Sequence, residues 1–158
     1  MIVHGSLAVP VRAEADFEAA AHYLGRDAVM RAIITKTEHA PAPLRIRVNH
    51  RNDDSYDPNG RIVNWDPHSA LRTTAGGRQS PALGLGHELD HATVAPSIAN
   101  ADSAHADRTF DNGEERRVIL GSEAHAARTL GEAVRHDHAG QTYRVDSPIE
   151  RRAFNVAG

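Results

Sequence analysis

The 158-residue chain has no cysteine, which excludes both a disulfide framework and a thiolate metal site. Any metal must be held by histidine and carboxylate. Aromatic residues are scarce at 4%, too few for a platform on which nucleobases stack. Basic residues do not outnumber acidic ones. The net charge is −3, so no positive field exists to attract nucleic acid or an anionic membrane surface. No apolar run approaches the roughly 18 residues of a membrane span, and the first residues lack the basic-then-apolar pattern of a secretory signal. The expectation is a soluble single domain over residues 1–158, large enough for one hydrophobic core and acting as a monomer. If exported, it draws its delivery signal from outside this sequence.

Histidine, by contrast, is abundant, with eleven in the chain. The surrounding periodicities predict alternating strands and helices. Met1–Leu7 reads as a short strand ending at Gly5. Glu14–Leu24 carries Phe17, Ala20, Ala21 and Leu24 on one helical face and stops at Gly25. Asp27 is placed to cap a second helix, Ala28–Lys36, ended by Pro41 and Pro43. Leu44–Asn49 alternates as a half-buried strand. After the polar stretch Asn52–Gly60 with its Asn-Gly turn signal, Arg61–Trp65 reads as its antiparallel partner. Thr73–Gln79 is flexible by composition. Ala95–Asp111 reads as a long loop, Asn112–Gly131 as a long helix, and Val134–Asp137 with Thr142–Asp146 as a hairpin. The last dozen residues carry no clear signal.

Between these elements lies LGHELDHAT, residues 85–93. Ser80-Pro81 is a favourable helix start, and Pro96 stops the helix, so His87-Glu88-Leu89-Asp90-His91 falls mid-helix. Residues i and i+4 stand one above the other, which aims both imidazoles at one point. Glu88 lies about 100° around the helix from His87, within reach of a water on the same ion. Gly84 and Gly86 each cost roughly 1 kcal/mol against alanine in a helix, which suggests close approach of another backbone, with a weak first turn as the alternative.

Zinc needs a third protein ligand, with a fourth position left to water. Val94 and Ser97 exclude the third histidine of a HExxHxxGxxH continuation. A carboxylate from the following helix is the remaining route. Glu115 shares an inward face with Val118, Ile119 and Ser122; Glu114 is rotated to the edge of that face, and Glu123 lies two turns on. Asn112-x-x-Glu115 also resembles a capping box, so a capping role for Glu115 stays open.

SPALGLGHELDHA, followed by EERRVILGSEAHAARTLGEAVRHDHAGQTYRVDSP, resembles the NleD-like family of effector zinc metallopeptidases, carried by bacterial type III effectors and related Rhs-type polymorphic toxins. The similarity runs from the IVHGS opening through VNWDP to the YRVDSP end. It implies zinc on His87 and His91, Glu88 as catalytic base, and a glutamate of the EERRVI helix as third ligand. It also implies a secreted endopeptidase acting in the cytoplasm of a target cell. The fold expected is α+β and zincin-like, a small, mostly antiparallel sheet packed on the HExxH helix and the long helix after it.

In that reading Glu88 takes a proton as water attacks a peptide carbonyl. An oxyanion donor besides the metal is expected from Tyr143, Arg144, His136 or His138, with Tyr143 foremost and the two histidines alternating onto one strand face. Asp90 is a candidate to orient a ligand histidine, or else a solvated helix residue. A protein substrate is expected to lie extended along an exposed sheet edge, best supplied by Arg61–Trp65, with Trp65 in the core. Two other classes remain: a zinc hydrolase of a non-peptide amide, and a binding module in which metal is structural or absent. A structural site has no need of a carboxylate beside its ligands, and Glu88 is one.

Overall fold

The computed structural model describes residues 1–153 and is a mixed α+β fold of small sheets and several helices. Strands β1 (Ile2–His4) and β2 (Leu7–Val9) form an antiparallel hairpin. Gly5 turns this hairpin instead of ending a single strand. Its φ is +62°, and a Cβ there would lie 2.1 Å from the carbonyl oxygen of Glu38, so glycine alone fits. Helices α1 (Glu14–Leu24) and α2 (Ala28–Glu38) follow, and the Asp27 side chain accepts from the Met30 amide as the N-cap of α2.

β3 (Leu44–Val48) then pairs with β2 in parallel, and β5 (Ile62–Trp65) pairs with β3, also in parallel. This corrects the expected antiparallel pair. The polar segment between them is no simple turn, because β4 (Ser55–Asp57) lies inside it and runs antiparallel along the outer side of β5. The Asn-Gly signal therefore closes a β4–β5 hairpin, which sends β5 back in the direction of β3. The sheet order is β1-β2-β3-β5-β4. Arg61–Trp65 is thus interior, and β4 is the edge strand. The principal sheet is mixed, not mostly antiparallel; the two smaller sheets are antiparallel throughout.

Against this sheet packs α3 (Pro81–His91), buried on nearly every side by α1, α2, β4, β5 and the segments that follow it. Leu83, Leu85 and Leu89 of α3 join Phe17, Leu24 and Met30 from the first two helices and Ile46, Val63 and Trp65 from the sheet in one core. Trp65 is fully buried, as expected, and its indole N–H donates to the Pro81 carbonyl at 2.9 Å. The start of α3 is tied down further. Ser80 Oγ accepts from the Leu83 amide, while Glu132 accepts from the Ser80 amide at 2.6 Å, from Ser80 Oγ at 2.7 Å and from the Tyr23 hydroxyl of α1.

A second sheet has the order β10-β6-β7, built from β6 (Ser69–Arg72), β7 (Arg78–Gln79) and β10 (Gln141–Arg144). β10 pairs with β6, so no hairpin joins it to Val134–Asp137, which contains no strand. Thr73–Gln79 is a tight reversal, with the Thr73 amide donating to the Gly77 carbonyl. The expected loop Ala95–Asp111 holds α4 (Pro96–Ser103) and a two-stranded ladder of β8 (Ala106–Asp107) with β9 (Asp111–Asn112).

The expected long helix is broken. α5 (Gly113–Val118) passes through a π turn, Ile119–Glu123, into α6 (Ala124–Leu130), with Gly121 at φ −98° and ψ −108°. Such wide turns are rare inside helices and change which side chains face a neighbour. Here Glu114, Glu115 and Glu123 all come to face α3.

Glu132 joins the N-terminus of α3 to α1 through three buried or part-buried donors. Glu132→Ala leaves them without an acceptor and should lower unfolding free energy by roughly 2–4 kcal/mol in a denaturant titration. A loss below about 0.5 kcal/mol would show that the helix start is held by other contacts.

A candidate metal centre on α3

His87 and His91 stand one helical turn apart with their rings edge to face, centroids 4.7 Å apart. Their Nε2 atoms approach to 3.0 Å. Glu115 completes the cluster, with Oε2 2.7 Å from His87 Nε2 and Oε1 3.2 Å from His91 Nε2. A tetrahedral zinc ion with bonds of about 2.0–2.1 Å holds its ligand atoms about 3.3 Å apart. The two Nε2 atoms and the Glu115 carboxylate, whose two oxygens each face one ring, would need to spread by up to roughly 0.6 Å to accept an ion between them. Of the capping box that Glu115 could share with Asn112, only half is present. The Glu115 amide is capped by Asn112 Oδ1 at 3.0 Å, but the Glu115 carboxylate turns to the histidines.

Glu88 is the other acid of the cluster. His87, Glu88 and His91 offer ligand atoms within 4.8 Å of one another and could hold a metal ion. Glu88 Oε1 lies 3.9 Å from His87 Nε2, a step farther than Glu115. That spacing departs from the roughly 3.3 Å between neighbouring zinc ligands by as much as the 2.7 Å of Glu115 does, so Glu88 is placed either to ligate an ion or to face a molecule beside it. Burial raises the Glu88 pKa, working against the two imidazoles, which lower it.

Behind each of the two histidines stands a glutamate, and behind each glutamate an arginine. His87 Nδ1 lies 2.8 Å from Glu123 Oε1; Arg135 donates to both oxygens of Glu123, and Gln79 donates to one. His91 Nδ1 lies 3.2 Å from Glu114 Oε2, and Arg117 donates to Glu114. Such partners fix the ring and direct Nε2 forward. Glu114 and Glu123, the alternatives for third ligand, thus meet the Nδ1 atoms, while Glu115 meets Nε2. Glu114 is buried, contrary to its expected place at the edge of the face. Asp90 does not meet a ligand histidine. It accepts from Arg117 at 3.0 Å and from the Ser122 hydroxyl.

The centre is built for positive charge. Burial alone would lower both histidine pKa values, but Glu88, Glu115 and Glu123 hold His87 well above its usual value, and Glu114 with Glu115 does the same for His91. Glu115 is held far below the carboxylate range by the two imidazoles despite its burial. Burial would raise Glu123 as well, yet His87 and Arg135 pull it down to about 2. A divalent cation bound by two imidazoles and a carboxylate would supply the charge that protons otherwise supply.

Two hollows meet at this cluster. One is floored by His87, Glu88 and Glu123 and walled by Ala70, Leu71 and Thr142 of the second sheet. The other lies between Tyr56 of β4 and Ala99 and Asn100 of α4, with His91 and Glu115 at its base. Asp54, Glu88 and His138 border both. Asp54 explains Gly84: a Cβ there would lie 2.6 Å from Asp54 Oδ2, so a side-chain carboxyl, not a backbone, makes the close approach. Burial, with Glu88 and Asp66 nearby, holds Asp54 well above the carboxylate range.

Tyr143 is not brought to the cluster. Its hydroxyl donates to the Arg151 carbonyl and its ring lies under Arg78. Arg144 is paired with Asp66, and His136 is exposed. Since residues 132–140 form no strand, His136 and His138 share no strand face; His138 alone reaches the cluster, its Nε2 3.6 Å from Glu115 Oε2. No family model matches the chain, and searches of curated proteins and of solved structures gave no significant match.

Metal and protons compete for the same Nε2 atoms. The two Nε2 atoms lie 3.0 Å apart and each faces a Glu115 oxygen, so an ion taking their place displaces the protons they hold. Because the folded site holds these protons above their usual pKa, acid favours the protonated form. Apparent zinc affinity, read by chelator competition, should rise at least tenfold per pH unit between pH 6 and 8; a flat profile contradicts this. Glu114→Gln should weaken affinity about 10- to 100-fold by freeing His91, whereas unchanged affinity would reduce Glu114 to a helix-surface role.

Proposed function

We propose that the chain is a zinc-dependent endopeptidase, with His87, His91 and Glu115 as ligands and Glu88 as general base. The observation that carries this reading is Glu88 itself: a buried carboxylate next in sequence to His87 stands 3.9 Å from His87 Nε2, while Glu115 reaches both Nε2 atoms. Zinc in that set would polarise a substrate carbonyl and bring the pKa of a water toward neutrality. Glu88, its pKa raised by burial, is suited to take the proton of the attacking water and hand it to the leaving amine. Tyr56 offers a buried hydroxyl with no hydrogen-bond partner among the described residues, bordering the hollow that holds His91 and Glu115. It is a donor available to a developing oxyanion, in place of Tyr143.

A zincin-like reading is supported by three parts: an edge strand antiparallel to its neighbour, an HExxH helix packed on it, and a glutamate from a following helix. The substrate strand is assigned to β4, since Arg61–Trp65 is interior. An extended peptide along that edge would gain main-chain hydrogen bonds and pass over Glu88 between the two hollows. Action as a secreted effector or toxin in a target-cell cytoplasm rests on the resemblance of SPALGLGHELDHA and the YRVDSP end to the NleD-like peptidases.

Glu88→Gln separates catalysis from binding. It should retain zinc and fold, while hydrolysis falls by about 10²-fold to 10⁴-fold or more. Expression of the chain in target cells, followed by mapping of new protein N-termini, should reveal cleavages that vanish with Glu88→Gln. Identical N-terminal maps from both proteins would contradict an endopeptidase.

A further inference from the structure

We propose that His138 is a fourth, displaceable ligand that closes the metal centre in the substrate-free protein. The proposal rests on the metal reading above and adds a residue to it. His138 Nε2 lies 3.6 Å from Glu115 Oε2, close to the separation of about 3.3 Å between neighbouring ligands of a tetrahedral ion. His87, His91 and Glu115 supply three ligand atoms, so one position is left for it.

The backbone around His138 is held while its ring is not. Its amide donates to the Thr109 carbonyl at 3.0 Å, and its carbonyl accepts from Arg135. Arg135 is also the residue that clamps Glu123 behind His87, so the segment carrying His138 is fixed to the same network that orients the first ligand. Among the described residues the His138 ring makes no hydrogen bond, and its side chain is 42% exposed. It can therefore rotate away without leaving a buried polar group unpaired.

Its place explains why it would have to move. His138 borders both hollows, so a peptide crossing from one to the other meets its ring. Exchange of a neutral imidazole for water transfers no proton and no electron; one ligand bond breaks and another forms. A three-histidine, one-glutamate set would thus hold the ion closed at rest, and substrate would open it. The competing role, a donor to substrate oxygen, predicts no bond from His138 to the ion.

X-ray absorption at the zinc edge distinguishes the two on the zinc-loaded full chain. The wild type should show three imidazoles and His138→Ala two, with zinc affinity lowered at least tenfold by chelator competition. His136→Ala, an exposed neighbour in the same segment, should leave both readouts unchanged. Two imidazoles in wild type and variant alike, with equal affinity, would overturn the fourth ligand while leaving the three-ligand centre intact. Failure of the wild type to bind zinc would overturn the metal reading and this proposal together.

Discussion

The structure depends on holding a dense group of carboxylates inside a protein. Glu88, Glu114, Glu123 and Asp90 are all buried around His87 and His91, with Glu115 closing the group. Buried charge of one sign is costly unless each member is paired and hydrogen-bonded. Arg135 answers Glu123, Arg117 answers Glu114 and Asp90, and the two imidazoles answer Glu115. Apart from Arg117 with Glu114, which lies within α5, each pairing draws its members from different elements, so the charge pattern also fixes how α3, α5 and the segment after α6 sit against one another. The remaining demand for positive charge falls at the two Nε2 atoms, and that demand is what would favour a cation there.

The scaffold serves this arrangement by immobilising α3. The helix is buried along almost its whole length, its first turn held by Ser80, Glu132 and the Trp65 indole, and its flank pressed by Asp54. A ligand pair one turn apart on such a helix has little freedom to drift. The π turn at Ile119–Glu123 has a complementary role. A regular helix would put Glu123 on the opposite side from Glu114, whereas the irregular turn lets both reach Nδ1 atoms of the histidines while Glu115 reaches their Nε2 atoms.

Much of the site was legible in the sequence because its signals are local. The Ser80, Asp27 and Asn112 caps depend on a few neighbouring residues, and the i, i+4 spacing of HELDH needs nothing beyond a helix. Glu115 was readable from helical phase. What stayed hidden depends on contacts distant in the chain. The three-residue β4 inside a polar segment has too little hydrophobic alternation to show itself, and missing it reversed the expected direction of β5. The break at Gly121 is invisible to a periodicity argument, and Glu114, one turn before the buried Val118, was assigned to the edge of a face that in fact buries it. Tyr143 was chosen for its chemistry, yet pairing of β10 with β6 carries its hydroxyl to Arg151. The arginines behind the glutamates have no sequence signature, since nothing local distinguishes Arg117 or Arg135 from a solvated charge.

The central claim is that two imidazoles and one carboxylate from separate helices form a single metal-binding set. A crystal structure of the zinc-soaked protein, with anomalous data collected at the zinc edge, tests this most directly. The account predicts one strong peak per chain, about 2.0–2.2 Å from His87 Nε2, His91 Nε2 and a Glu115 oxygen, with Glu114 and Glu123 still on the Nδ1 atoms. No peak at the cluster, or a peak bound by Glu123 or Glu114 with Glu115 turned away, would contradict it.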